Sequence, residues 1–250
     1  MIDKELLLVD HLEELRKRII LSALAFLFSF VVGFFYAIDI YKWFVKDLDV
    51  KLLVLGPSDI IRIYFMLAAV VAIAGTMPFL ATQIWLFVRS ALRAKERKIT
   101  LTYIPALFIL FIVGLAFGYF VILPMIFKFL IQLGGAMLVT NFTAERYFKF
   151  IMNMTIPFGV LFELPVVIMF LTSLGMINPF VLSRIRKYAY FVLIIIAVVI
   201  TPPDFMSDFV VTIPLLLLYE ISITLSKFVY RKKLKGEKNM KDLDLDCLME

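Results

Sequence analysis

"ITLTYIPALFILFIVGLAFGYFVILPMIF", residues 99–127, runs for 29 residues without an Asp, Glu, Lys or Arg. About 20 apolar residues in a helix cross the roughly 30 Å hydrocarbon layer of a bilayer. The stretch therefore reads as a membrane-crossing helix. The same test finds more spans on either side. Residues 19–38 and 63–88 are free of charge, and 150–183 contains only Glu163. The whole chain agrees: of 250 residues 63% are hydrophobic and 18% charged, at a mean hydropathy of +0.99. One soluble core of this length cannot hide so much apolar surface. The run at 19–38 is too long for the apolar part of a cleaved leader, and "YAID" at its end is a poor cleavage site, so it is expected to remain as a helix.

Two further apolar runs are short. Residues 188–200 cover about 20 Å as a helix, and 209–219 end at Glu220. They read as two short spans in a locally thinned bilayer, with a hairpin that does not fully cross as the alternative. The expected fold is all-α, a polytopic membrane protein with six transmembrane helices, the last two short. Residues 1–230 would form one transmembrane domain and 231–250 a disordered charged tail. Of the 26 Lys and Arg, 19 lie before the first span, after the second, after the fourth or in the tail. That side is expected to be cytoplasmic, which puts both termini inside. The outer segment 39–62, with its "GPSD" turn, reads as a packed cap with short helices, and Thr143 as a cap for the helix of span four.

Few residues can carry chemistry. His11 is the one histidine, which excludes a Ser/His/Asp triad and a two-histidine metal site. "EELRKR" (13–18) matches a Glu-Glu-x-x-x-Arg protease pattern, but that chemistry needs membrane histidines that the chain lacks. No phosphate-cradling loop occurs. The chain is not expected to be an enzyme, to hold a metal or cofactor, or to bind nucleic acid. Cys247, the one cysteine, reads as a free thiol in the tail despite the terminal "CLME".

Glu163, in "FGVLFELPV", is the costliest residue, since a carboxyl group in mid-membrane must be protonated, paired or turned to water or protein. Pro157 and Pro165 flank it and can bend the helix into a concave face. It serves as a protonated group on a freed carbonyl, as a proton site, or as a docking point for a partner. Glu220 lies near the cytoplasmic bases and is expected to snorkel. Asp204, in the "TPPD" turn with Pro202 and Pro203, and Asp208 read either as helix caps or as a deep polar turn that weakens the membrane. In "HLEELRKR" (11–18), Glu13–Lys17 and Glu14–Arg18 are i,i+4 pairs. Leu8, Leu12, Leu15 and Ile19 form an apolar stripe that lays this helix along the membrane surface or into the bundle. In "RSALRAKERK" (89–98), Glu96 is the single acid among five bases, either paired with them or kept for a partner.

"HLEELRKR", "QIWLFVRSALRAKERK" (83–98), "FGYFVILP" (117–124), "FELPV" (162–166), "ITPPDFMSD" (200–208) and "IPLLLLYEIS" (213–222) resemble, in order and spacing, TatC of the twin-arginine protein translocase. The resemblance covers about residues 10–230 and is nearest the minimal Gram-positive form. It implies a multi-pass subunit of the cell membrane that receives signal peptides with paired arginines on folded cargo. Glu14 and Glu96 match the glutamates that hold those arginines, with a bidentate geometry that lysine reproduces poorly. Glu163 matches the intramembrane glutamate that receives a polar residue of a single-span TatA-type partner, and Gln83 is placed with it as an intramembrane polar group. The resemblance further implies homo- and hetero-oligomers, contact with membrane lipids, and transport driven by the proton-motive force. Ser90 departs from the family, which usually has a proline there to set the angle of the loop carrying Glu96. The loop's bases are expected to face lipid phosphates or the acids at 10, 13 and 14. The rival functions are a proton-coupled secondary transporter using Glu163, and a purely structural scaffold.

Overall fold

The computed structural model describes residues 2–46, 52–89, 103–134, 143–202 and 204–249, with side chains for 12–46, 52–87, 103–132, 143–202 and 204–234. The helices are α1 (Ile2–Phe35), α2 (Ala37–Val45), α3 (Pro57–Arg89), α4 (Tyr103–Phe117), α5 (Leu123–Gly134), α6 (Ala144–Leu161), α7 (Leu164–Leu174), α8 (Pro179–Arg184), α9 (Arg186–Ile200) and α10 (Phe205–Met249). Among the described residues there is no strand, only an isolated bridge between Leu53 and Thr143.

Five helical segments are long and apolar enough to cross a membrane: Leu12–Phe35, Pro57–Phe87, Tyr103–Gln132, Ala144–Leu174 and Phe205–Leu234. The first four overlap the charge-poor runs of the sequence. α9 has 15 residues, about 22 Å of helix, and is short as expected. The last helix is not: α10 has 45 residues. Glu220 fails to end it because the carboxylate is neutralised in place. Arg186 Nη2 lies 3.0 Å from Glu220 Oε2, and the Tyr190 hydroxyl donates to Oε1 at 2.5 Å. Glu220 therefore pairs across α9 and α10 instead of snorkelling. α10 also continues as helix beyond 231, where composition suggested disorder. That segment is rich in Lys and Leu and has no proline after Pro214, so propensity favours the helix. α1 is likewise unbroken from the polar N-terminal stretch into the first span, in place of a separate interfacial helix.

α6 lies at the centre, with Tyr147, Phe148, Ile151, Met154 and Phe158 buried. In lipid no hydrophobic force presses helices together, so close packing and polar contacts must hold them. α4 meets α6 through Gly114 and Gly118, one turn apart. A Cβ on Gly114 would stand 2.5 Å from the Phe158 carbonyl oxygen, and one on Gly118 2.9 Å from Thr155 Cα. The π-helical turn Gly118–Ile122 that follows accommodates Pro124, whose missing N–H disrupts regular α-bonding. α7 and α10 share a polar seam in which Thr172 Oγ1 and Ser226 Oγ, both buried, are 2.7 Å apart. Gly175, at φ +80°, closes α7. Lys233 Nζ from α10 donates to the Ser173 carbonyl at 3.1 Å, a cation at the negative end of the α7 dipole.

α2 is a short helix packed on the bundle, as expected of the segment 39–62. Trp43 and Phe44 pack on Tyr119 at ring distances of 5.6 and 5.2 Å, and Tyr41 packs on Phe148 at 5.3 Å. Arg62 pairs with Glu145 at 2.9 Å. Thr143 stands at the N-cap of α6, but its hydroxyl makes no capping bond. The Ala144 N–H instead donates to the Leu53 carbonyl at 2.8 Å.

Candidate functional site

The N-terminal part of α1 carries two acid–base pairs at the i,i+4 spacing seen in the sequence. Lys17 Nζ lies 3.0 Å from Glu13 Oε1, and Arg18 pairs with Glu14. The second pair reaches a neighbouring helix. Arg18 Nε donates to Glu14 Oε1 at 3.2 Å, Nη2 bonds the same oxygen, and Nη1 donates to Gln83 Oε1 of α3 at 3.3 Å. The side chains of Arg18 and Glu14 are 18% and 35% exposed. Glu14 Oε2 has no partner among the described residues. Gln83, grouped with Glu163 in the sequence, thus joins Glu14 through Arg18. α3 is described to Arg89; Ser90 and Glu96 lie outside the described residues, as do the bases at 93, 95, 97 and 98.

Glu163 sits where the fourth apolar segment breaks, at the N-cap position of α7. The cause is Pro165. It has no N–H to offer the Leu161 carbonyl, and its ring excludes that carbonyl from helical position. The chain tightens instead: Glu163 N–H donates to Val160 O at 3.1 Å, and the ladder resumes with Val167 N–H on Glu163 O at 3.0 Å. Pro157, also expected to bend the helix, lies inside an uninterrupted α6. The Glu163 side chain is half-buried and makes no hydrogen bond or ion pair among the described residues.

The turn between α9 and α10 is knit by its own side chains. Asp204 Oδ1 accepts from the Ser207 N–H at 2.7 Å, a capping bond for α10. Asp208 does not cap; it bonds the Thr201 hydroxyl, which also donates to the Ala197 carbonyl at 2.9 Å. Asp204 Oδ2 and Ser207 Oγ are buried without a partner among the described residues. Pro202 belongs to this turn, and Pro203 lies outside the described residues.

Two groupings escape sequence reasoning. The Arg18–Gln83 bond joins residues 65 apart, and Glu220 meets Tyr190 across 30. No local spacing announces either. Among the described residues no three His, Cys, Asp or Glu side chains are grouped to hold a metal ion. The arrangement offers instead a carboxylate with one oxygen unpartnered among the described residues beside the last turns of α3, and a carboxyl likewise unpartnered among them at a helix break.

Residues 10–214 match the family model TatC, described as Sec-independent protein translocase protein. The chain is similar to Sec-independent protein translocase protein TatCd of Bacillus subtilis (strain 168), 53% identical over 234 residues, which cover 94% of this chain and 97% of that one. It is similar to TatCy of the same organism, at 42% identity over 240 residues and 94% of each chain. Among solved structures, the crystal structure of the twin arginine translocase receptor TatC superposes with a TM-score of 0.77 at 33% identity, over 88% of this chain and 99% of that one.

Proposed function

The chain belongs to the TatC family of Sec-independent protein translocase proteins, and from that membership we propose that it is the receptor for twin-arginine signal peptides of folded proteins. It is a multi-pass membrane protein and a translocase component rather than an enzyme. The transporter reading of Glu163 gives way to this membership.

In our reading Glu14 and Glu96 clamp the two guanidinium groups. The observation that carries it is the Glu14–Arg18–Gln83 chain. It fixes the turn bearing Glu14 against α3, the helix whose continuation leads within a few residues to Glu96. A carboxylate held there by one oxygen can take a fork of two parallel N–H bonds when Arg18 yields, which an ammonium cannot fill. The bases around Glu96 face lipid phosphates in this reading.

Glu163, presented at the break before Pro165, receives a polar group of a single-span TatA-type partner. Pro202, Pro203 and Asp204 hold α9 and α10 in register, with α9 as a sixth, short span. Residues 1–230 act as one domain of the cell membrane with both termini cytoplasmic, assembled in homo- and hetero-oligomers and driven by the proton-motive force.

The test is binding of a synthetic twin-arginine signal peptide, and of its twin-lysine counterpart, to the detergent-solubilised full chain. Glu14→Gln and Glu96→Gln are each expected to weaken twin-arginine binding about tenfold or more, the worth of a charge-assisted hydrogen bond. Wild type is expected to discriminate against twin lysine. Unchanged binding in both variants would remove the clamp.

A further inference from the structure

We propose that Arg18 is a tethered stand-in for the substrate. Its guanidinium occupies Glu14 in the resting receptor and is displaced by the incoming arginine, so that Arg18 sets the affinity of the site. This rests on the reading of Glu14 as a signal-peptide carboxylate.

The geometry is that of a site already holding its own ligand type. Arg18 Nε and Nη2 both address Glu14 Oε1, while Oε2 is left without a partner among the described residues. An arriving guanidinium can therefore bind Oε2 before Arg18 lets go of Oε1, and the carboxylate is never left half-buried and unpaired. That avoids the penalty of an uncompensated charge. Arg18 in turn has somewhere to stay, because Nη1 already donates to Gln83 Oε1 at 3.3 Å, a neutral acceptor on a different helix. The exchange swaps one guanidinium for another on the Glu14 carboxylate.

Displacement weakens every ligand of Glu14 by the same factor, set by the fraction of time that Arg18 holds the carboxylate. The preference for arginine over lysine belongs to the contact with Glu14 itself, where a planar guanidinium can address both oxygens and an ammonium cannot. A purely structural Arg18 would impose no such common factor.

The experiment titrates the full chain in nanodiscs with the twin-arginine and twin-lysine peptides, comparing wild type, Arg18→Gln, Arg18→Lys, Glu14→Gln and the Glu14→Gln/Arg18→Gln double variant. Freeing the carboxylate from a partly exposed pair should tighten twin-arginine binding in Arg18→Gln about two- to fivefold. Twin-lysine binding should improve by the same factor, leaving the preference unchanged, and the gain should vanish in the double variant. Arg18→Lys should fall between wild type and Arg18→Gln, and it carries the test if Arg18→Gln does not fold. Equal or weaker binding on losing Arg18, with Glu14→Gln impaired, overturns the stand-in and leaves the Glu14 reading intact. Wild-type binding by Glu14→Gln overturns the Glu14 reading itself, and the stand-in with it.

Discussion

A hydrogen atom in place of a methyl group decides how near α4 comes to α6. At Gly114 an added Cβ would lie 2.5 Å from the Phe158 carbonyl oxygen and 2.9 Å from Gly159 Cα, both backbone atoms that cannot swing aside. Gly114→Val should therefore lower the thermal midpoint of the detergent-solubilised protein, at a cost of about 1–3 kcal/mol from overpacking. Gly56 offers a control, because a Cβ there meets only the Ser58 hydroxyl at 3.7 Å, and Gly56→Ala should leave the midpoint nearly in place. Equal shifts in the two variants would show that the close approach is not what holds these helices. The spacing of Gly114 and Gly118 was open to inspection in the sequence. Which helix it faced was not.

Breaks and pairings govern the helices themselves. The sequence offered two prolines as causes of the bend beside Glu163, and only Pro165 interrupts the hydrogen bonds. Pro165→Ala returns an N–H to the Leu161 carbonyl and should join α6 and α7 into one straighter helix. With Cys247 replaced by Ser, spin labels at Lys149 and Leu171 should move apart in Pro165→Ala and keep their distance in Pro157→Ala. An unchanged distance in both would place the cause of the break in tertiary contacts. α10 gives the complementary lesson. An apolar count ends it at Glu220, yet Arg186 and Tyr190 remove the reason to stop there. Hydropathy charges the full cost of an ionisable group because it cannot see the group's partner.

For the molecule as a whole, the open matter is how many times it crosses. The distribution of basic residues predicts cytoplasmic termini, and α9 falls short of a full span at 15 residues. A membrane-impermeant maleimide applied to inside-out and right-side-out vesicles separates the possibilities. With Cys247 replaced, Leu55→Cys in the outer cap should label only from outside and Lys4→Cys only from inside. Met206→Cys, at the exposed start of α10, should label from outside if α9 crosses. Labelling of Met206→Cys from the cytoplasmic side would make α9 and α10 a hairpin and reduce the spans to four.

By itself the sequence determined the material of this protein: long helices and a membrane as their solvent. These follow from composition and from runs of residues adjacent in the chain, because lipid acts on each segment separately and forces every backbone bond to close within it. The i,i+4 pairs Glu13–Lys17 and Glu14–Arg18 were legible for the same reason, since helix geometry alone brings them together. Only the tertiary structure decided that Gln83 stands beside Arg18. Only it decided that Glu220 of α10 pairs with Arg186 and Tyr190 of α9, and that Pro165 rather than Pro157 breaks the fourth segment. Such outcomes depend on which helix faces which. In a bilayer that choice is made by close approach and by polar groups in need of partners, and neither is written at any fixed spacing along the chain.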